Sequence, residues 1–219
     1  MSDGARAAYR YCEQLVRAHD KDLYLASLFA PVDRRPYLLA LDAFALEIGR
    51  VKMLVKEPMT GAIRLQWWHE AIEGLRAEEA AANPVMTALQ DAAGQTNVSL
   101  APLAAAVEAR EAELHGTPAV GAAAAVFIMA ARWLGAEGEG IAAAADHAAR
   151  AVTLIKTEPE KARAAYEAFR SALASVPETA LPAFLPVALV PLRLKNPHAP
   201  QWRRQITLLR TAWFGFPRP

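Results

Sequence analysis

Four things are scarce in this chain: cysteine, metal-ligand spacing, strand punctuation and long apolar runs. Each shortage removes a class of explanation. One cysteine among 219 residues, Cys12, excludes an internal disulfide and any cysteine-rich zinc site. The five histidines, at 19, 69, 115, 147 and 198, show no metal-ligand spacing. "HEAIE" at 69–73 lacks the second histidine four residues on that a zinc helix needs. No Asn-Gly turn and no long alternating segment marks a hairpin. The N-terminus, "MSDGARAAYRYCEQL", has no apolar h-region, so no secretory leader is expected. The most apolar run, "AVGAAAAVFIMAARWLG", is mostly alanine and contains Arg132. It falls short of the ~20 strongly apolar residues of a membrane span and reads as a buried helix. With 24 basic and 23 acidic residues the formal charge is +1, which argues against a broad nucleic-acid footprint.

What is present is helix. Hydrophobic residues make up 54% of the chain, enough for a substantial core, and alanine, the best helix former, is abundant. Asp33, Ser99, Thr117 and Thr157 each precede a helical pattern as N-cap candidates. Pro118 would take the first helical position, where its missing N–H costs nothing. "TEPE" at 157–160 reads as a capping box. The pattern predicts helices near 5–18, 21–29, 34–55, 59–78, 84–93, 100–115, 118–134, 138–156, 158–174, 179–194 and 199–213. Leu38, Leu41, Ala45 and Ile48 form one expected core stripe, and Ile63, Trp67, Ala71 and Leu75 another. No repeat or domain linker is evident, "EGLRAEEAAANP" being a short polar connection, so residues 1–219 read as one all-α domain.

Residues 22–75 carry a resemblance. Tyr24-Leu25-Ala26 stands before a proline, followed by Arg34-Arg35, "LDAF", "EP" and "IRLQWWHEAI". In this order these elements resemble the squalene/phytoene synthase family, and "DHAARAVTLI" at 146–155 is a weak echo of its second conserved helix. The resemblance implies an isoprenoid-synthase-like helical bundle around a central cavity, shortened here. For active members it implies head-to-head joining of two prenyl diphosphates. Magnesium ions held between two aspartate-rich helices would stabilise the departing diphosphate, because clustered divalent ions offset the developing negative charge. Magnesium requires oxygen ligands. The family's first aspartate cluster falls here at Gly49, Arg50 and Met53, and its cationic residue after "AF" falls at Leu46. The second helix offers Glu158 and Glu160 in a cap-like setting rather than paired aspartates.

No catalytic residue, metal ligand or cofactor is therefore expected, magnesium entering only if the site is rearranged. The stretch from "AF" to "QWWHEAIE" is closer to a degenerate branch of the superfamily that includes a mitochondrial complex I assembly factor. The resemblance thus implies an assembly or binding role. Two alternatives stay open: a prenyl-diphosphate transferase with an altered site, and a lipid binder that keeps the apolar cavity. The candidate cavity residues are Phe44, Glu47, Arg50, Arg64 and Trp67. Glu47 is either a surviving cavity carboxylate or the partner of Arg64 in an ion pair. Arg64 is either that partner or a phosphate ligand, and Trp67 either core or cavity wall. His147 beside Asp146 reads as a solvated face, Ser27 and Ser171 lack a nucleophile-elbow context, and Cys12 reads as inert.

The C-terminus differs in kind. In "QWRRQITLLRTAWFGFPRP", Trp202, Ile206, Leu209 and Trp213 recur at helical spacing opposite Arg203, Arg204 and Arg210, and Phe214 and Phe216 follow. This reads either as the bundle's last helix packing its apolar side or as an amphipathic element for a protein partner or a membrane surface. The expected location is cytoplasmic, peripheral at the inner face of the membrane if the tail docks.

Overall fold

The computed structural model describes residues 2–216, which form helices and no strand among the described residues. The helices are α1 (Asp3–His19), α2 (Lys21–Ser27), α3 (Arg35–Leu54), α4 (Pro58–Ile72), α5 (Ala77–Ala82), α6 (Pro84–Thr96), α7 (Pro102–Leu114), α8 (Val120–Trp133), α9 (Glu139–Thr153), α10 (Pro159–Ala172), α11 (Leu181–Phe184), α12 (Val190–Lys195) and α13 (Gln201–Phe214). Short 3₁₀ segments at Leu173–Ser175, Glu178–Ala180 and Leu185–Leu189 join the later ones. None of these helices is long and apolar enough to cross a membrane.

Local chemistry explains most of the boundaries. Side-chain caps come from Ser2, Asp20 and Asn83, whose oxygens accept the first free N–H groups of α1, α2 and α6. Proline occupies one of the first two positions of α3, α4, α6, α7 and α10. Three expectations about helix starts fail. α10 begins at Pro159 with Glu158 before it and no side-chain cap, so Thr157 and Glu160 form no capping box. α8 begins at Val120, two residues past Pro118, and α3 takes no cap from Asp33. Ser99 does accept the Ala101 N–H, just ahead of α7.

Two expected helices are broken. The segment expected at 59–78 stops at Ile72, because Gly74 adopts φ +82° and turns the chain; α5 then forms within the stretch read as a connection. The segment expected at 179–194 is a chain of short α and 3₁₀ pieces. Pro182, Pro186 and Pro191 each remove a backbone donor, so no α-helix runs through.

The helices bury one large core. α8 packs on α7 and α9, α9 on α10, and α1 on α3 and α6. The inner face of α9 is Ala144, Ala145, Ala148, Ala149 and Ala151, all fully buried; such small side chains let neighbouring helices approach closely. Phe44, Trp133, Phe169 and Phe184 fill the remaining core volume. The run 119–135 is the buried α8, as its pattern implies. α4 is rotated relative to the expected stripe: Gly61, Leu65, Trp68 and Ala71 face inward, whereas Ile63 and Leu75 are exposed. α4 sits tightly on α7, since a Cβ on Gly61 would lie 2.9 Å from a Leu114 methyl. A second, smaller cluster, Ala26, Leu185, Leu189 and Leu208, ties α13 to α2.

Candidate functional site

A cavity of about 190 Å³ lies where α2, α3, α7, α8 and the 185–189 turn converge. Its α8–α9 wall is alkyl and aromatic: Ala122, Ala123, Val126, Phe127 and Ala130, with Val152 beyond. The polar groups come from the opposite side: Asp20, Asp22 and Asp42, with Arg110 and Arg193.

Each of the three carboxylates is already engaged. Asp20 accepts the Asp22 and Leu23 N–H groups as the cap of α2. Asp22 is buried and takes Arg193 at 3.0 Å and Arg204 at 2.7 Å, both on Oδ2, while Oδ1 is buried without a hydrogen-bond partner. Asp42 Oδ2 lies 2.8 Å from the Ser27 hydroxyl, whose Oγ is also 3.1 Å from the Leu23 carbonyl. Desolvation pushes the Asp42 carboxyl up to about 7; the Ser27 hydrogen bond opposes this and nearby Asp20 adds to it. The geometry agrees with a carboxylic acid. Ser27 has one hydroxyl proton for two acceptors, and a protonated Asp42 can donate to Ser27 while Ser27 donates to Leu23.

The position of the first family aspartate is occupied in an unexpected way. A Cβ built on Gly49 would sit 3.4 Å from Arg110 Nη2, so the guanidinium lies against the bare backbone of α3. Arg110 donates from Nη1 to Glu113 at 2.8 Å, and its Nε is buried without a partner. Arg50 points elsewhere, 3.2 Å from His19 Nε2, and Met53 is exposed. These residues do not fit a magnesium–diphosphate group. α3 offers no oxygen ligand at 49, 50 or 53, Arg110 of α7 sets a cation against Gly49, and the α8–α9 wall offers only carbon. Among the described residues no group of three His, Cys, Asp or Glu is placed to hold a metal.

None of the five candidate residues from the sequence lines this cavity. Phe44 is fully buried, edge-on to Trp68 at 5.3 Å. Glu47 is half-buried and Arg64 exposed, and the two form no ion pair among the described residues. Trp67 donates to Glu79 at 2.8 Å and borders a separate open groove with Ala62, Ile63 and Arg76. Asp146 pairs with Arg150 at 2.8 Å rather than with His147. Burial pushes the Cys12 thiol up to about 12, so it stays protonated and inert. Asp42 was missed, although a carboxylate inside the otherwise apolar "LLALDAFA" was the available signal.

At the C-terminus the packing expectation holds only in part. Leu208 is buried and Phe216 packs edge-on to Phe169 at 5.4 Å. Trp202, Ile206, Leu209, Trp213 and Phe214 are exposed. Pro217 and Arg218 lie outside the described residues.

Comparison with known proteins agrees with this architecture. The human protein named NADH dehydrogenase (ubiquinone) complex I, assembly factor 6 is 33% identical over 111 residues, which is 51% of this chain and 33% of the relative. The Bos taurus protein of that name is 32% identical over 111 residues, and the Drosophila melanogaster homolog 30% over 108. The chain thus spans about a third of the length of the curated relatives it matches. No solved structure matches it. The squalene/phytoene synthase profile matches residues 16–125, covering the cavity helices α2, α3 and α7 and the start of α8, and on that match the chain belongs to the squalene/phytoene synthase family.

Proposed function

We propose that this chain is a non-catalytic member of its family that acts as an assembly or binding factor, with respiratory complex I as the assembly served. One observation carries the loss of chemistry: the Arg110 guanidinium lies over Gly49 and faces an alkyl wall, where prenyl transfer would need carboxylates from both sides. Size supports the same reading. A cavity of about 190 Å³ falls below the ~300–1,000 Å³ of ordinary ligand pockets and has no room for two prenyl chains. The relatives' printed name supplies the assembly role.

The test has two arms. Removing the gene from its own host lowers assembled complex I on native gels. The purified chain gives no magnesium-dependent turnover of farnesyl or geranylgeranyl diphosphate. Unchanged complex I, or turnover, refutes the proposal. The cavity's apolar walls favour a second reading, a carrier of a small apolar group, which native mass spectrometry of the purified chain would reveal as a co-purifying mass.

A further inference from the structure

α13 is anchored on one side only. At about 100° per residue, Leu208 and Thr211, the buried positions, mark the side that faces α2 and the 185–189 turn. Trp202, Ile206, Leu209 and Trp213 fall within a stripe roughly 60° wide on the other side. Trp213 is 76% exposed and Phe214 82%. Arg203 and Arg210, both exposed, lie along one edge of the stripe, and Arg203 stacks on Trp202 at 5.2 Å. α13 contains no acidic residue, and neither arginine has a carboxylate partner among the described residues.

We propose that this face of α13 docks on an anionic phospholipid surface, lying in the plane of the interface. The argument rests on charge and shape. Unpaired arginines beside an apolar stripe match a negatively charged headgroup layer over hydrocarbon. Tryptophan favours that boundary because its ring is apolar and its N–H polar. The aromatic groups project from a convex helix, a shape that immerses in lipid without a complementary pocket. A second copy is a poor occupant: pairing two α13 faces sets Arg203 and Arg210 near their own copies with no carboxylate on either helix to balance them. The inference is independent of the role in assembly.

The experiment is flotation of the full chain with phosphatidylcholine vesicles and with vesicles of phosphatidylcholine and phosphatidylglycerol. The chain should float with the anionic vesicles and remain below with the neutral ones, and added salt should weaken the association as charges are screened. Replacing Arg203→Gln and Arg210→Gln should reduce partitioning roughly 30-fold, a factor of about five per arginine. Trp213→Ala with Phe214→Ala should abolish flotation and leave the thermal melt unchanged, because both side chains are exposed in the free protein. Met59→Ser with Ile63→Ser, in the exposed patch on α4, should leave flotation intact.

Equal binding to neutral vesicles overturns the proposal, as does binding that survives the α13 changes. Absence of flotation also overturns it and leaves the stripe to a protein. Light scattering that shows a dimer dissolved by the Trp213 and Phe214 changes would assign the face to a second copy.

Discussion

Replacing Asp42 with asparagine tests whether the cavity holds a protonated acid. The folded carboxyl titrates at about 7 against an ordinary 3.8. Between those values the native state binds a proton that the unfolded chain releases. Stability contributed at this site is therefore full below about pH 4, falls as pH rises through about 7, and is flat above. A difference of about three units corresponds to roughly 4 kcal/mol at most. Asp42 is only half-buried as a residue and opens onto a cavity that water can enter, which cuts the expected effect to roughly 2 kcal/mol. Asp42→Asn keeps a donor to Ser27, the amide N–H in place of the acid O–H, and removes the ionisation. For a domain of this size ~2 kcal/mol is about 4–8 °C. The variant should melt that much higher than wild type at pH 8 and no higher at pH 4. The difference between the two curves isolates this group from every other titration. A variant less stable than wild type at pH 8 would refute the reasoning, because it would mean an ionised Asp42 held by the cavity arginines.

Gly49→Asp combined with Met53→Asp should give no magnesium-dependent heat with a thio-diphosphate analogue in a calorimeter. The new carboxylate at 49 meets Arg110 and the facing wall supplies no oxygen; a micromolar isotherm would count against this. Gly61→Ala should destabilise by roughly 1 kcal/mol in urea melts, the 2.9 Å approach to Leu114 outweighing the better helix propensity. Phe216→Ala should cost roughly 1–2 kcal/mol through its contact with Phe169, and Trp213→Ala less than about 0.5 despite the larger side chain. The reverse order in thermal melts would mean that Trp213 is core.

The all-helical architecture was legible because alanine content and the prolines at helix starts act locally. The family was legible because its motif elements are contiguous within residues 22–75. The phase of α4 was not: Ile63 and Leu75 are core residue types, and only packing on α7 turns Gly61, Leu65 and Trp68 inward instead. The prolines at 182, 186 and 191 were visible, yet their combined effect needed the spacing to be read as a series of breaks. The loss of aspartates at 49, 50 and 53 could be read directly. Arg110 as the occupant of that space could not, since 61 positions separate it from Gly49 and no local pattern links them. Asp42 carried a signal as the lone charge in an apolar helix face, but its burial depends on α2 and α8 packing over it, which no local pattern encodes.

The small Leu208 cluster has a dynamic consequence. α13 shares few buried side chains with the rest of the bundle, so it can open as its own unit while the alanine-packed α8 and α9 stay closed. Its amide protons should then exchange together, ahead of those two helices. Each opening takes Arg204 from Asp22 and leaves that buried carboxylate with Arg193 alone at the edge of the cavity. Fraying of α13 and the ion pairing at the cavity edge are thereby linked through one aspartate.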